Sequence, residues 1–518
     1  MKAVQIDLTP EEYHQLDVVR RRAGAAPGEP LRITRRTLDC RRRNVVYHCT
    51  VEVGEGSLAS LSSLSSLSSL SSLSSVSSGA RRVLVVGAGP AGLFAALRCL
   101  QRGLKPVIVE RGKPVEERKY DIARIAREKQ VDADSNWCFG EGGAGTYSDG
   151  KLYTRSTKRG DVGEVLRTFV ACGADPDIML DAHAHIGTDR LSGIIANMRH
   201  AIEEHGGEYH FGTRMEDLLL KEGRAGGIVD QHGNRIEAEA VILATGHSAR
   251  DIYELFARRG WLLKAKPFAL GVRVEHPQEL INEIQYHGKG YSPLLPPAAY
   301  SLTTQARGHG VFSFCMCPGG VIVPAATAGR QQVVNGMSNS RRNSPYANSG
   351  IAVTVDLNEE LGIGSEELGS PLALLRFQQA VEQRMFHAAG DCIDAPTQRL
   401  EDFLHRRASS TLGQSGYMGQ TVSAPLHELL PPFVVDCLAE GFRAFDRKMK
   451  GFISAEAQLL AVESRTSSPV RIPRDRETLQ HPQLAGLYPC GEGAGYAGGI
   501  VSSALDGIRC AEAVSLRK

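Results

Sequence analysis

Three short stretches hold residues whose types and spacing could do chemistry. Residues 312–320 read FSFCMCPGG, which sets two thiols, Cys315 and Cys317, one residue apart before a Pro-Gly-Gly break. Gly87, Gly89 and Gly92 spell GxGxxG in VVGAGPAGLFAA, and Glu110 follows eighteen residues after the third glycine. His247 comes directly after an Ala-Thr-Gly stretch that closes an apolar run. The thiols could be a redox pair, a metal site or packing. Glycines at that spacing allow a tight turn and let a pyrophosphate reach the backbone N–H groups of a helix start. A histidine titrates near neutrality, so His247 is a candidate proton donor or acceptor, or else a cap on a strand-to-helix turn.

The elements around the glycines decide what they are for. Val83–Val86 is a continuous apolar run, as in a strand buried on both faces. Leu93–Arg102 has helical periodicity and stops at Gly103, and Pro106–Glu110 reads as a second buried strand ending in an acid. Strand, glycine turn, helix, strand and acid in that order form a dinucleotide site, with Glu110 placed to accept from a ribose diol. Pro90 and Ala91 make the turn GAGPAG, the form common where FAD is the dinucleotide. The segments up to NRIEAE predict a three-stranded meander feeding a parallel strand at Ala240–Leu243, which ends in Thr245 and Gly246. Gly486–Pro489 predicts a last short strand, and Ser502–Val514 a helix. Gly491 and Glu492 between them look like the acidic motif that meets the ribityl–phosphate part of FAD. Gly493, Gly495 and Gly498 repeat GxGxxG, but only twenty residues follow Gly498, too few for a second nucleotide-binding unit. Their expected role is a helix start in which Gly498, Gly499 and Ile500 offer N–H groups to the flavin N1–C2=O edge.

Composition narrows the class. The chain has 518 residues, 42% hydrophobic and 23% charged, with net charge +2, which predicts a soluble multidomain protein without general attraction to nucleic acid or membrane. There is no long apolar run and no apolar leader, and the eleven cysteines include no CxxC pair. Reduced thiols in the cytoplasm and no metal site are therefore expected. Residues 57–79 repeat Leu-Ser-Ser. A strict period of three spirals around a helix instead of building an apolar face, so this segment predicts a flexible linker. Before it, EEYHQLDVVRRRAG suggests a helix closed by Gly24, and LRITRRTLD and VVYHCTVEV two strands. Six arginines fall between Arg32 and Arg43, either a solvated face or a contact for an anion or RNA.

GAGPAGLFAA, FGEGGAGTYSDGKL, LATGHSARD, KPFALGVRVEHP, FSFCMCPGG, VNGMSNSRR, VESRTSSPVRI and GLYPCGEGAGYAGGI follow one another in this order. Together they resemble the family of bacterial and plastid FAD-dependent dehydrogenases, similar to NAD(FAD)-utilising dehydrogenases. The resemblance implies an α/β chain: a Rossmann-type, two-dinucleotide-binding-like FAD domain with an inserted sheet-rich substrate domain and a small α+β N-terminal module. The boundaries expected are 1–56 for the module, 57–80 for the linker, 81–265 for the first part of the FAD domain, 266–455 for the insertion and 456–518 for the return. It implies FAD as cofactor, with Gly143 and Gly145 along the pyrophosphate and ribityl chain and Arg111 beside Glu110 among the binding residues. The expected function is an FAD-dependent oxidoreductase acting on a small molecule, with NAD(P)H as a transient electron donor. A flavin monooxygenase or halogenase is one alternative. A flavoprotein that binds RNA or protein through its N-terminal module is another. No oligomeric state is written in the chain.

Other residues carry weaker expectations. Arg273 and Glu275 share a strand face and are expected to pair, and Glu463 and Arg465 repeat the spacing, with Arg465 a candidate for an acidic substrate. Lys151 could offset phosphate or flavin charge. In a regular strand Phe312, Phe314 and Met316 face a core while Ser313, Cys315 and Cys317 face the other way. Cα atoms two apart would then be about 6.5–7 Å from each other, the edge of disulfide reach, with a bend expected only beyond Pro318. The thiols are candidates for a direct chemical role or for small-residue lining.

Overall fold

The computed structural model describes residues 2–54, 70, 72–73, 75–77, 79–154 and 159–516. Most of the Leu-Ser-Ser repeat lies outside the described residues. Its end is not loose: Leu70, Leu73 and Val76 pack on the core of the first unit, and Val76 N–H donates to the His205 carbonyl at 3.1 Å.

That unit is built on a parallel sheet of five strands, in the order Leu487–Pro489, Ala240–Leu243, Arg82–Val86, Lys105–Val109 and Glu208–His210. Alternate side chains of each strand enter different cores. Val83, Val85 and Ile108 pack under the helices Pro90–Gln101, Thr188–Glu204 and Ile500–Ser515. Leu84, Val86 and Val107 pack under the helix Arg250–Arg259 and the meander. Coverage on both faces is why these strands are apolar throughout. The meander runs antiparallel through Met215–Lys221, Arg224–Asp230 and Arg235–Glu237. The helices Pro90–Gln101 and Ile500–Ser515 lie against each other because Gly507 has no Cβ to strike the Ala91 carbonyl.

The second unit is a seven-stranded mixed sheet. Its central strand, Phe268–Pro277, is flanked by Tyr346–Val355 and Gln458–Glu463. The helices Ala373–Ala388 and Pro432–Lys448 cover the sheet through Leu374, Val381, Val434, Leu438, Phe442 and Phe445. Full burial of each such side chain contributes roughly 1.5–3 kcal/mol. The expected return at residue 456 is displaced by one strand, since Gln458–Glu463 pairs inside this sheet with Phe268–Pro277 and Ala395–Arg399. The chain crosses back only after Glu463.

The N-terminal module has three strands, not two, because Lys2–Leu8 joins Val46–Val53 and Leu31–Asp39. Its helical part breaks into Pro10–Tyr13 and Leu16–Ala23, the second closed by Gly24 in the left-handed conformation. The arginine run serves partly as mortar. Arg36 binds Asp181, with Nη2 to Oδ2 at 2.8 Å, and lies 3.2 Å from Asp177, which ties the module to the first unit. Arg41 pairs with Asp39 inside the module. Among the described residues no helix is long and apolar enough to cross a membrane.

Candidate functional site

A cavity of about 750 Å³ opens at the carboxyl ends of the parallel strands, where ligands of open α/β sheets bind. Gly87, at φ +105°, turns the chain out of its strand, and a Cβ there would run into the Ala244 carbonyl. The helix Pro90–Gln101 then starts at Gly89 without a side-chain cap, and Pro90 occupies its first turn. Its first N–H groups are left for an anion. On the other side, Ile500–Ser515 starts at Gly499, also without a side-chain cap. A Cβ on Gly246, Gly498 or Gly499 would meet only open space, so backbone lies bare along this wall. Between the two helix starts Glu110 accepts from the N–H groups of Ala88, Gly112 and Gly140 at 2.9, 3.0 and 2.9 Å. These bonds fix the carboxylate and leave lone pairs for a diol. Beside it, the Arg111 guanidinium lies 4.3 Å from the Phe139 ring centre and 2.6 Å from Asp251.

The second unit closes the cavity with Phe314, Cys315 and Asn335, and Thr466 on the returning chain lies beside them. Here the strand His309–Cys317 departs from regular alternation. Phe314 pairs with Gly350 and Cys317 with Asn348, so Cys315 and Met316 together oppose the single Ser349. The extra residue is a β-bulge with Cys315 at φ +45°. It flips the strand, so that Met316 joins the same core as Val311 while Phe312 and Phe314 are only half-buried beside the clefts. The expected single apolar face of Phe312, Phe314 and Met316 is thus broken, and the bend sits at Cys315 itself, not beyond Pro318. Both sulfurs come to one cation, with Lys151 Nζ 3.8 Å from Cys315 Sγ and 3.7 Å from Cys317 Sγ. Lys151 is also 3.0 Å from Asp149, which Arg342 holds at 2.9 Å.

Two family profiles match the chain: "FAD-dependent protein, C-terminal domain-like" over residues 267–466 and "FAD binding domain" over residues 82–118. A protein of Clostridium beijerinckii, described as uncharacterized, is 43% identical over 435 residues, covering 83% of this chain and 80% of its own. The chain belongs to the FAD-dependent protein family. FAD is its cofactor, and its first unit is the Rossmann-type FAD-binding domain. Among solved structures, CtdE in complex with FAD matches at 11% identity over 84% of each chain, with a TM-score of 0.33. The flavin-dependent brominase Bmp2 matches at 12% over 84% of this chain and 78% of its own, also at 0.33. A geranylgeranyl bacteriochlorophyll reductase-like protein of Thermoplasma acidophilum matches at 13% over 84% and 78%, again at 0.33.

The cavity of this flavoprotein gathers Gly87, Gly89, Pro90, Ala91, Glu110, Arg111, Gly143, Gly145, Thr245, Gly246, His247, Cys315, Glu492, Gly498, Gly499 and Ile500. Gly92, Gly491 and Cys317 stand behind the wall. Gly92 lets the helix approach the Gly87 carbonyl, Gly491 donates its N–H to Asp506 at 2.8 Å, and Cys317 is fully buried. Burial, reinforced by Arg465 and Arg250, pushes His247 down to about 4. It is therefore a neutral imidazole at neutral pH, able to share hydrogen bonds but holding no charge to give away. Burial pushes the Glu492 carboxyl up to about 7.

The pairings expected along single strands are replaced by pairings between elements. Arg273 meets Glu463 of the adjacent strand at 2.7 Å, not Glu275. Glu463 opposes Gly271 and Arg273 opposes Leu460, so the two are diagonal neighbours across the strands, a step the long arginine side chain spans. Arg465 lies near Glu382, which also holds Arg250 at 2.8 Å, and it donates to Thr327 Oγ1 at 2.7 Å. This guanidinium borders the cavity but is committed to the scaffold. Glu275 instead accepts from the Gly416 N–H at 3.0 Å and from the Ser415 side chain, and burial raises its carboxyl from 4.5 to about 7.

Glu275 predicts a pH effect. Its folded-state pKa lies above the unfolded one, so the folded chain holds the extra proton and stability falls as pH rises between about 4.5 and about 7. Glu275→Gln is expected to remove that fall and to be more stable than the parent at pH 8 by roughly 2–3 kcal/mol. Urea denaturation at pH 5 and pH 8 checks it, and an equal response of both proteins to pH would refute it.

Two positioning features escaped the sequence reading. Arg118, fully buried on the helix Val115–Glu128, donates to the carbonyls of Asn136, Glu141 and Gly143 at 2.7, 2.8 and 2.9 Å and so holds the glycine-rich loop. Its one signal is a charged residue in the helix stripe of Val115, Ile122 and Ile125, a place that Asp121 shares. The other is a buried group of Cys490, Asp506 and Cys510, whose ligand atoms lie within 4.8 Å of one another. Arg474 already fills the cation's place, at 2.6 Å from Asp506 and 3.3 Å from Cys510.

Proposed function

We propose that this flavoprotein is an oxidoreductase that passes a hydride or electron pair between FAD and a small molecule, with NAD(P)H visiting as a transient donor. The observation that carries the reading is the double wall of the cavity. The first unit supplies the dinucleotide cradle and Lys151, and the second supplies the Cys315 thiol, Phe314 and Asn335. A further cleft of about 360 Å³ adjoins it through Phe314 and Thr466, with Phe312 on its far side. That cleft is a natural seat for a substrate of modest size and mixed polarity.

Bound FAD supplies the two-electron carrier. The residues around it divide the remaining work. The helix start at Pro90 and Ala91, behind Gly87 and Gly89, would hold the pyrophosphate. Glu110 would accept from the ribose hydroxyls, with Arg111 beside it. Gly143 and Gly145 would lie along the ribityl chain with Glu492, and Thr245 and Gly246 would floor the cavity. The N–H groups of Gly498, Gly499 and Ile500 would face the edge of the flavin that gains negative charge on reduction, which favours the reduced form. Neutral His247 would accept or share a hydrogen bond with the substrate.

Purified protein should be yellow or become so with FAD. Anaerobic absorbance against a panel of NADH, NADPH and metabolites should show bleaching by at least one of them. Protein that takes up no flavin would end the reading. Oxygen uptake that needs both NAD(P)H and a second substrate would replace it with a monooxygenase.

A further inference from the structure

We propose that Cys315 and Cys317 form a dithiol–disulfide pair that exchanges two electrons with the flavin, Cys315 being the member that meets the cofactor. The proposal deepens the oxidoreductase reading and rests on FAD filling the cavity. It starts from the bulge. A regular strand would hold the two thiols at the limit of disulfide reach. With Cys315 in the left-handed region the strand folds on itself, and the Cys317 thiol donates to the Cys315 carbonyl at 3.2 Å. A side chain other than glycine in that conformation costs on the order of 1–3 kcal/mol, a strain that simple packing does not require.

Position and charge point the same way. Cys315 lines the cavity, while Cys317 is buried directly behind it, so one thiol can face a cofactor and the other is held in reserve. Lys151 stands within 3.8 Å of both sulfurs, and Arg273 Nη1 is 3.9 Å from Cys317 Sγ. The hydrogen bond from Cys317, with Lys151 and Arg273, holds the Cys315 thiol well below its usual range against the effect of burial. Cys317 is pushed well above it by the same hydrogen bond and by burial. Cys315 is thus the more acidic sulfur and Cys317 the one that keeps its proton longer, the order that dithiol oxidation needs. A metal is a poorer occupant. Among the described residues this pair has no third Cys, His or carboxylate within ligand distance, and an ammonium already sits on both sulfurs.

The step balances without another reactant. The Cys315 thiolate, the Cys317 thiol and oxidised flavin give a Cys315–Cys317 disulfide and anionic reduced flavin. The S–S bond forms and the Cys317 S–H bond breaks. The sulfurs lose two electrons and the flavin gains them, with the Cys317 proton, and the net charge is unchanged. Run backwards, reduced flavin opens the disulfide. A substrate that exchanges with thiols would then meet Cys315 first.

The test is an anaerobic dithionite titration of air-oxidised, flavin-loaded full-length protein. The parent should consume two equivalents per flavin, and Cys317→Ser and Cys315→Ser one each. Peptide mapping without reductant should find a bridge between 315 and 317 in the oxidised parent that is absent after titration. The map also separates this pair from Cys490 and Cys510. A parent that takes up one equivalent, or two with the bridge mapped elsewhere, overturns the proposal. Should the variants fail to fold, iodoacetamide labelling of the parent apoprotein decides: Cys315 should react at least tenfold faster than Cys317 at neutral pH, and equal rates refute the pair. If no donor in the panel reduces the flavin yet two equivalents are taken up, the pair stands and the substrate reading falls. Bleaching by a donor with uptake of one equivalent means the reverse.

Discussion

Gly87→Ala is expected to purify colourless and to stay so after FAD is added, with flavin affinity lowered at least tenfold. Gly87 stands at φ +105°, where an L side chain is strained by roughly 1–3 kcal/mol, and the new methyl would point into the Ala244 carbonyl. That carbonyl closes the Ala240–Leu243 strand, which pairs with Arg82–Val86 along its whole length. Neither side can yield without moving the sheet edge that frames the cavity. The damage therefore falls on the turn between strand and helix start, which is the pyrophosphate site proposed above. Gly103→Ala separates strain from collision. Gly103 also has a positive φ, +68°, but a Cβ there meets nothing within 4 Å, and it lies past the far end of the same helix. It should lose about 1 kcal/mol of stability and keep its flavin. Flavin absorbance per chain, with circular dichroism as the check on folding, reads both variants. A yellow Gly87→Ala would show that the turn tolerates a side chain and that the cradle is misplaced.

Arg273→Met should cost about 3–5 kcal/mol of stability. Arg273 and Glu463 are 0% and 1% exposed and meet at 2.7 Å between the strands Phe268–Pro277 and Gln458–Glu463. Arg273 also donates to Asn348 on the opposite neighbour at 2.6 Å, so one guanidinium fastens three strands. Removing it leaves a buried carboxylate in the sheet without its partner. The double variant Arg273→Met/Glu463→Leu removes both charges and should recover most of the loss, because the larger penalty lies in the uncompensated charge. Urea midpoints of the parent, the single variant and the double variant measure this directly. Equal losses in the single and double variants would mean that shape, not charge, governs the site.

The dinucleotide turn was legible because everything that makes it is close in the chain. The strand, the three glycines, the helix and Glu110 fall between residues 82 and 110, and short-range sterics allow little else. The helix start at Gly499 was legible for the same reason, as was the closing of the Leu16–Ala23 helix by Gly24. The small modules were read less well where an element lacks its own signal. The strand Lys2–Leu8 is half polar and is held by its partner Val46–Val53.

The chemistry opposite the turn was decided elsewhere. Alternation along FSFCMC predicts a regular strand, since no residue in it demands a bulge. The bulge comes from the partner strand, on which Gly350 and Asn348 oppose Phe314 and Cys317. Only that pairing turns both thiols toward Lys151, more than 160 residues earlier in the chain. Arg273 and Glu463 are 190 residues apart, and Arg250 and Glu382 are 132. By itself the sequence marked the chain as FAD-binding and marked the strand, glycine turn and helix start that frame the cavity, because that turn is set by local sterics. Which charges meet, which thiols share a face and where the insertion ends were left to the tertiary structure, because buried charges choose partners by distance in space and the spacing along one strand does not fix it.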